Sequence, residues 1–162
     1  MAKFLIIRFS SIGDIVLTTP VIRCLRKQYP ESEIHFLTKY AFKNIVEHNP
    51  YINKLHILGD SFELMLHELV VEEYDYIIDL HHNLRTLRIK RHLKNVRSFS
   101  FNKLNIEKYI LTGFKINVLP KKHIVDRNLD TVASLGVTND GLGLDYFIPA
   151  KDRVKKEDIP TS

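Results

Sequence analysis

The sequence predicts an α/β fold, a parallel β-sheet flanked by helices. Short apolar runs rich in branched residues alternate with segments whose apolar residues recur every three or four positions. This alternation is typical of parallel sheets with right-handed crossovers. A length of 162 residues fits one domain with a core of its own. The content of 44% hydrophobic and 27% charged residues argues against a disordered or fibrous chain.

The first third of the chain shows the alternation most clearly. Residues 3–8 (KFLIIR) are typical of a buried strand. A helical pattern runs from Ile15 to about Tyr29, and Pro30 ends it. Pro20 lies within this pattern, so the helix either kinks at Pro20 or begins in earnest there. Strands are predicted next at 33–38 and 54–58, and a short helix between them at 40–48.

The rest of the chain continues with shorter strands. Gly136 suits the left-handed position that follows a helix and should end the amphipathic helix before it. Strands are predicted at 75–79 and 97–101, and 142–148 is a candidate final strand. Helices are predicted at 61–73, about 84–94, 105–114 and 123–135.

The composition excludes several classes of protein. No apolar run approaches the roughly 20 residues of a membrane-spanning helix. Arg8 cuts the N-terminal apolar run too short for a signal peptide. The single cysteine, Cys24, excludes an internal disulfide framework and a cysteine-rich zinc site. These features favour a cytoplasmic protein in a reducing compartment.

The net charge of +5 is unevenly distributed. Residues 60–79 carry seven acidic side chains and no Lys or Arg, whereas residues 80–125 carry eleven basic side chains and one acid, Glu107. Solvated helix faces of opposite charge are one explanation of these blocks. The alternative is a positive cleft that binds phosphate or carboxylate groups.

Ligands of open α/β sheets bind beyond the carboxyl ends of the strands, so the segments that follow strands are the candidate site. The first is Ser10-Ser11-Ile12-Gly13-Asp14, which is neither a Rossmann fingerprint nor a Walker A loop. Gly13 lets the backbone turn tightly or approach a ligand, and the amides of the helix that starts here attract anions. Asp14 has the capping-box spacing from Ser11, so it either caps the helix or supplies a carboxylate for chemistry.

The second segment, 79–86 (DLHHNLRT), groups imidazoles, an amide and a guanidinium after a predicted strand. His81, His82 and Asn83 either bind sugar hydroxyls or phosphate, or form an ordinary polar loop before a capped helix. We predict no metal site here, because adjacent histidines rarely share one ligand direction and no third ligand lies at a familiar spacing.

The third segment is the start of the helix predicted at 123–135. His123 and Arg127 are four residues apart and therefore lie on one helical face. The same spacing is equally typical of an ordinary surface pair. Lys121 and Lys122 add positive potential just before this helix.

Together the three segments resemble glycosyltransferase family 9, the bacterial lipopolysaccharide heptosyltransferases. Residues 3–30 (KFLIIRFSSIGDIVLTTPVIRCLRKQYP) look like the family's opening: a strand, a Ser-x-Gly-Asp loop and a helix with Thr-Pro and a basic end. Residues 75–90 (DYIIDLHHNLRTLRIK) are similar to its Asp-Leu-Gln-Gly segment, and residues 123–137 (HIVDRNLDTVASLGV) to its His-x-Val-(Asp/Glu)-Arg helix. The order and approximate spacing agree over about residues 3–148.

The resemblance implies the N-terminal half of a GT-B glycosyltransferase, in which two Rossmann-like domains face each other across a cleft. The N-terminal domain takes the acceptor, and the C-terminal domain takes the nucleotide-sugar. We expect residues 1–149 to form the acceptor-side domain and residues 150–162 to be a polar tail or the start of an interdomain linker. The C-terminal domain is expected to be absent from this chain, which would leave the chain inactive by itself.

The resemblance also implies an inverting, metal-independent and cofactor-free transfer of heptose from ADP-heptose to the Kdo/heptose inner core of lipid A. Asp14 matches the family's catalytic base. One departure is His81-His82, which stands where the family has Gln-Gly, so protonation of His81 bears on acceptor recognition. The residues implied in acceptor binding are Ser10, Ser11, Gly13, His81, His82, Asn83, Arg85, Arg88, His123 and Arg127.

Other interpretations stay open. A stand-alone anion- or nucleotide-binding Rossmann-like module without catalysis fits the fold, although the missing GxGxxG motif counts against a dinucleotide. Basic residues at 85–108 alternate with aromatic ones, but no RNA-binding signature is present and core aromatics explain the pattern, so we expect no nucleic-acid partner. A basic face also suits peripheral contact with the cytoplasmic face of the inner membrane, where a lipid acceptor is reached.

Overall fold

The computed structural model of the protein describes residues 1–103, 115 and 122–153 and contains a five-stranded sheet. All its neighbouring strands are parallel. Each strand lies within one residue of its predicted bounds, and in the first four strands a short run of buried apolar residues gives a strong local signal. The strands are β1 (Lys3–Ile7), β2 (Glu33–Lys39), β3 (Lys54–Leu58), β4 (Tyr76–Asp79) and β5 (Arg97–Ser100).

The strand order β3-β2-β1-β4-β5 is that of a doubly wound, Rossmann-like sheet and confirms the predicted fold class. Helices cover both faces of the sheet. They are α1 (Ile12–Val16), α2 (Thr19–Gln28), α3 (Lys43–Val46), α4 (Phe62–Val71), α5 (Leu84–His92) and α6 (Ile124–Asp130). No helix in the described ranges combines the length and the apolar character that crossing a membrane requires.

Alternate side chains of β1 enter two separate cores, as the pleat of a strand requires. Phe4 and Ile6 are fully buried in a core shared with α1, α2, α3 and α6. Leu5 and Ile7 are fully buried in a second core, which α4 and α5 complete on the other face. The predicted Ser10–Asp14 segment therefore follows a central strand, β1, that is packed on both faces.

The helix predicted from Ile15 to Tyr29 is in fact two helices. α1 ends at Val16, and α2 begins at Thr19 with Pro20 in its first turn. Proline is favoured there because first-turn amides have no acceptor within the helix. Pro20 therefore starts a helix rather than kinking one. The helix predicted at 40–48 is likewise composite, with a 3₁₀ turn at Tyr40–Phe42 before α3.

The predicted helix at 123–135 contains α6 and a 3₁₀ turn at Ala133–Leu135, and a further turn separates the two. Gly136 follows with φ of +81°, as its predicted role as a stop signal requires. The helix predicted at 105–114 lies outside the described residues, as do residues 154–162 of the tail.

The candidate strand at 142–148 is wrong. Gly143 has φ of +74°, a left-handed conformation that interrupts an extended chain. The alternating apolar residues of the segment point to solvent, and its polar groups bind α2 instead of a neighbouring strand. The backbone amide of Asp145 donates to Thr19 Oγ1 at 2.9 Å, and the carbonyl of Gly143 accepts from Arg23 at 2.8 Å.

Candidate functional site

A cavity opens at the carboxyl ends of β1 and β4, the switch point where strand order reverses and ligands of such sheets bind. Its volume is about 310 Å³. Phe101 and Ile124 supply the apolar wall. The polar lining is Arg8, Asp14, His81, Lys103, Arg127 and Asn128. It includes one residue from each of the three predicted segments, namely Asp14, His81 and Arg127.

Asp14 both caps α1 and lines the cavity, so its two predicted roles coincide. Its Oδ2 accepts from the Ser11 amide at 3.1 Å and the Ser11 hydroxyl at 2.9 Å, and lies 2.8 Å from the Arg8 guanidinium. Partial burial acts to raise the pKa of Asp14, but these donors outweigh it and the pKa is lowered. The carboxylate is thus ionised and oriented at neutral pH.

Arg8, Lys103 and Asn128 are polar residues of the cavity that sequence reasoning missed, and Arg8 has the most contacts with the predicted ones. The Arg8 Nε donates to the carbonyl of Ser10 at 2.8 Å, and another guanidinium nitrogen donates to the carbonyl of Leu80. The side chain thus ties the loop after β1 to the loop after β4 and orients Asp14 as well. The available signal was a charged side chain that directly follows an apolar strand, at the edge where ligands bind.

The imidazole of His81 lines the cavity. Its ring packs against Phe9, with 4.9 Å between ring centroids. Burial, with the nearby cations of Arg8 and Lys103, lowers the pKa of His81 to about 4. Its Nδ1 is buried and has no hydrogen-bond partner among the described residues. Contact of His81 with an acceptor stays a prediction.

His82 and the buried Asp79 fix the loop that carries His81. Asp79 accepts from the amides of His81 at 3.2 Å and His82 at 2.6 Å, and pairs with Lys90 at 2.9 Å. His82 has φ of +50°, a left-handed conformation that favours glycine, the residue that the resemblance implies at this position. Its Nδ1 lies 2.6 Å from the carbonyl oxygen of Phe101. His82 therefore holds the loop, and its role in acceptor binding stays a prediction.

Asn83, Arg85 and Arg88 lie outside this cavity. Asn83 caps α5 in a reciprocal capping box, which agrees with the alternative of a polar loop before a capped helix. Arg85 and Arg88 line a second cavity of about 360 Å³, beside the end of β3. Arg88 pairs with Glu63 at 2.8 Å and lies over the ring of Phe62. Acceptor binding by these three residues stays a prediction. For Arg85 and Arg88 it would take place at the second cavity.

Of His123 and Arg127, only Arg127 lines the Asp14 cavity. The exposed His123 caps α6, and its Nδ1 accepts from the Val125 amide at 3.3 Å. Arg127 lines the Asp14 cavity, lies 4.9 Å from the ring centroid of Phe101 and donates to the carbonyl of Asn102 at 2.8 Å. Arg127 is therefore fixed in position to meet a ligand, whereas His123 has a structural role that its spacing did not reveal.

Gly13 lies inside α1 and has no positive φ, so the tight-turn interpretation is wrong. Among the described residues outside its own helical turn, no atom lies within 4 Å of a Cβ atom added at Gly13. Close approach of a ligand to this exposed turn is the interpretation that remains. Ser10 and Ser11 serve the same turn, since they bind Arg8 and Asp14.

Replacing Gly13 with alanine tests that interpretation. We expect Gly13→Ala to fold and to raise the free energy of unfolding by up to about 1 kcal/mol, because alanine favours a helix. The added methyl group should weaken binding of an anionic sugar ligand, measured as a Kd that rises several-fold. Urea denaturation of the variant controls for misfolding. A more stable variant with an unchanged Kd contradicts the interpretation.

The cavity combines an ionised carboxylate with three cationic side chains, from Arg8, Lys103 and Arg127. Cations of this kind bind phosphate and carboxylate groups, and a carboxylate accepts the proton of a hydroxyl. The fold and the site together define a Rossmann-like domain suited to a polyanionic ligand that bears hydroxyl groups.

Comparison with curated proteins gives the class of relatives. The chain is 29% identical over 164 residues to lipopolysaccharide heptosyltransferase 1 of Campylobacter coli, covering 97% of this chain and 46% of that protein. It is 28% identical over 141 residues to lipopolysaccharide heptosyltransferase 3 of Escherichia coli K12, covering 78% of this chain and 40% of that protein. The chain thus spans about half the length of the curated relatives it matches. No family model matches the chain.

Solved structures agree on the fold. A glycosyltransferase family 9 protein from Veillonella parvula superposes with a TM-score of 0.70 at 24% identity, covering 93% of this chain and 46% of that chain. Escherichia coli heptosyltransferase WaaC with ADP gives a TM-score of 0.69 at 18% identity, covering 89% of this chain and 50% of that chain. The resemblance to the N-terminal part of glycosyltransferase family 9 heptosyltransferases is thereby confirmed.

Proposed function

We propose that this chain is the acceptor-side domain of an inverting, metal-independent glycosyltransferase that transfers heptose from ADP-heptose to the Kdo/heptose inner core of lipid A. The observation that carries the proposal is the Asp14 carboxylate, held by Arg8 and Ser11 beside a cationic cavity. The names of the curated relatives supply the class of sugar and acceptor.

In the proposed reaction Asp14 accepts the proton of an acceptor hydroxyl while that oxygen forms a bond to the anomeric carbon. The bond from this carbon to ADP breaks on the opposite face, and ADP leaves with the electron pair. The lowered pKa makes Asp14 a weak base towards a free hydroxyl, but the hydroxyl becomes acidic as the new bond forms. The transition state is oxocarbenium-like, so a nearby carboxylate also stabilises its positive charge.

The cationic side chains are proposed to hold the acceptor. Lys103 and Arg127 line the same cavity as Asp14 and suit the phosphates or Kdo carboxylates of the inner core. Neutral His81, which lines the same cavity, would hydrogen-bond a sugar hydroxyl through its imidazole. Arg85 and Arg88, at the second cavity, would contact a more distant anionic group of the same acceptor.

The partners follow from this assignment. The lipid A-core acceptor would meet this domain, while ADP-heptose would be bound mainly by a second, nucleotide-sugar domain. The protein would act in the cytoplasm, with contact to the cytoplasmic face of the inner membrane where the lipid acceptor resides. The 162-residue chain alone would be inactive, because the groups that stabilise leaving ADP would be missing.

A transfer assay with matched proteins tests the proposed function. The full-length protein that contains this chain is incubated with ADP-heptose and Kdo-bearing lipid A, and the product is followed by its mass. We expect the mass of one heptose to be added by the full-length protein and no product from residues 1–162 alone. Calorimetry of residues 1–162 should show no tight ADP-heptose binding, and nanomolar affinity would contradict the proposal. Binding of acceptor without transfer by the full-length protein would favour a non-catalytic binding module.

A further inference from the structure

A buried polar cluster lies at the end of the sheet opposite to Asp14. His35 on β2 and His56 on β3 are only 3% and 2% exposed, and the buried Tyr74 precedes β4. His35 Nδ1 and His56 Nε2 are 3.3 Å apart, and the Tyr74 hydroxyl is 2.9 Å and 3.0 Å from them. Three polar atoms from distant parts of the chain thus converge on one point, and the proposed transfer uses none of them.

The outer nitrogens of both rings face carboxylates. His35 Nε2 is 3.6 Å from Glu33, and His56 Nδ1 is 3.8 Å from Glu68. With the ring protons on the outer nitrogens, opposite Glu33 and Glu68, both inner nitrogens are acceptors. The single hydroxyl proton of Tyr74 then serves two buried acceptors. A cation between the two imidazoles satisfies both, and the carboxylate behind each ring is the usual outer partner of a metal-binding histidine.

Glu72, the C-cap residue that follows α4, brings a carboxylate to the same point. Its Oε2 is 3.8 Å from His35 Nδ1, and its Oε1 is 4.0 Å from His56 Nε2. Zinc bonds of 2.0–2.1 Å in tetrahedral geometry place ligand atoms about 3.3 Å apart. The imidazole pair already has this separation, and the carboxylate needs only a small side-chain rotation. Two histidines and a glutamate are also a familiar zinc ligand set.

We propose that His35, His56 and Glu72 bind a zinc ion, with the Tyr74 hydroxyl at the fourth position. The site is distinct from the Asp14 cavity, and its ion would stabilise the packing of α4 on β2 and β3 without entering the transfer reaction.

The charges around the site accommodate the ion. Lys3 contacts Glu72 at 3.1 Å and Glu33 at 3.0 Å, and Lys54 also pairs with Glu72. Glu33, Glu68 and Glu72 outnumber these two lysines, so a divalent cation does not enter a positive environment. Lys54 is 53% exposed and is the ammonium group that a zinc ion would displace from Glu72.

The experiment is a metal titration of the EDTA-treated protein. We expect one equivalent of Zn²⁺ to bind, and Co²⁺ in its place to give the visible absorption of a tetrahedral site. Saturating Zn²⁺ should raise Tm by about 5 °C or more, because the ion binds the folded state. His56→Gln should weaken Zn²⁺ binding by at least about 100-fold, whereas the exposed His92→Gln should not change it. Lys54→Gln should tighten binding, since it removes the competing ammonium group.

Titration of the unsubstituted protein with Zn²⁺ tests the proposed site even if His56→Gln fails to fold. No stoichiometric Zn²⁺ binding by that protein overturns the proposal. Binding that His92→Gln weakens as much as His56→Gln also overturns it, because a surface histidine would then hold the ion. Unchanged heptose transfer by the EDTA-treated full-length protein is expected, and its loss would contradict the separation of this site from the Asp14 cavity.

Discussion

Asp14→Asn is expected to lower the kcat of transfer by about 10³-fold while leaving the fold intact. Asparagine has the same shape, and its Oδ1 can still accept from the amide and hydroxyl of Ser11, so the cap of α1 survives. The variant loses the proton acceptor and the negative charge that faces Arg8. Initial rates with ADP-heptose and Kdo-bearing lipid A, measured on the full-length protein, give the effect. Near-normal transfer rules out Asp14 as the base.

Ser11→Ala is the matched control, because it keeps the carboxylate and removes one donor to it. Donors that bind the ionised form lower the pKa of Asp14, so their removal raises that pKa. The acid limb of the profile of kcat/KM against pH should therefore move to higher pH in Ser11→Ala, with activity largely retained at neutral pH. A limb that stays in place indicates that a group other than Asp14 titrates. The two variants together separate capping from proton transfer.

Local patterns account for much of the fold and for part of the site. A buried strand needs only a few branched residues in succession, so β1 to β4 were predictable. β5 is mostly exposed and has no branched residue, so this signal does not explain its prediction. The pairing of Ser11 with Asp14 was predictable because a capping box is a local motif. Pro20 left two alternatives that sequence could not separate, since a proline suits both a kink and a first turn.

What local patterns missed are contacts between residues distant in sequence. Arg8 binds the carbonyl of Leu80, 72 positions away, and nothing near Arg8 announces that contact. His35 and His56 lie in separate strands and become neighbours only through the register of β2 with β3. The alternation in 142–148 was real but faces solvent, because Arg23 holds the backbone of that segment. Tertiary contacts of this kind override a local strand pattern.

Arg23→Met is expected to lower the free energy of unfolding by about 2–4 kcal/mol. The Arg23 side chain is only 3% exposed. It binds both oxygens of Asp140, at 2.8 Å and 2.9 Å, and also pairs with Asp145 and the carbonyl of Gly143. Methionine fills similar volume but leaves two half-buried carboxylates without this guanidinium. The free energy of unfolding in urea measures the loss.

Lys27→Met is the control, because Lys27 contacts the same Asp140 at 2.9 Å from a far more exposed position. Its loss should cost less than about 1 kcal/mol, as exposed ion pairs do. Hydrogen bonds from Arg23, opposed by burial, hold the pKa of Asp140 well below its usual range. A lowered pKa contributes stability only where the unfolded chain is ionised, so the deficit of Arg23→Met should shrink as pH falls below about 3.8. Equal losses for the two variants would mean that burial of Arg23 adds nothing beyond a surface pair.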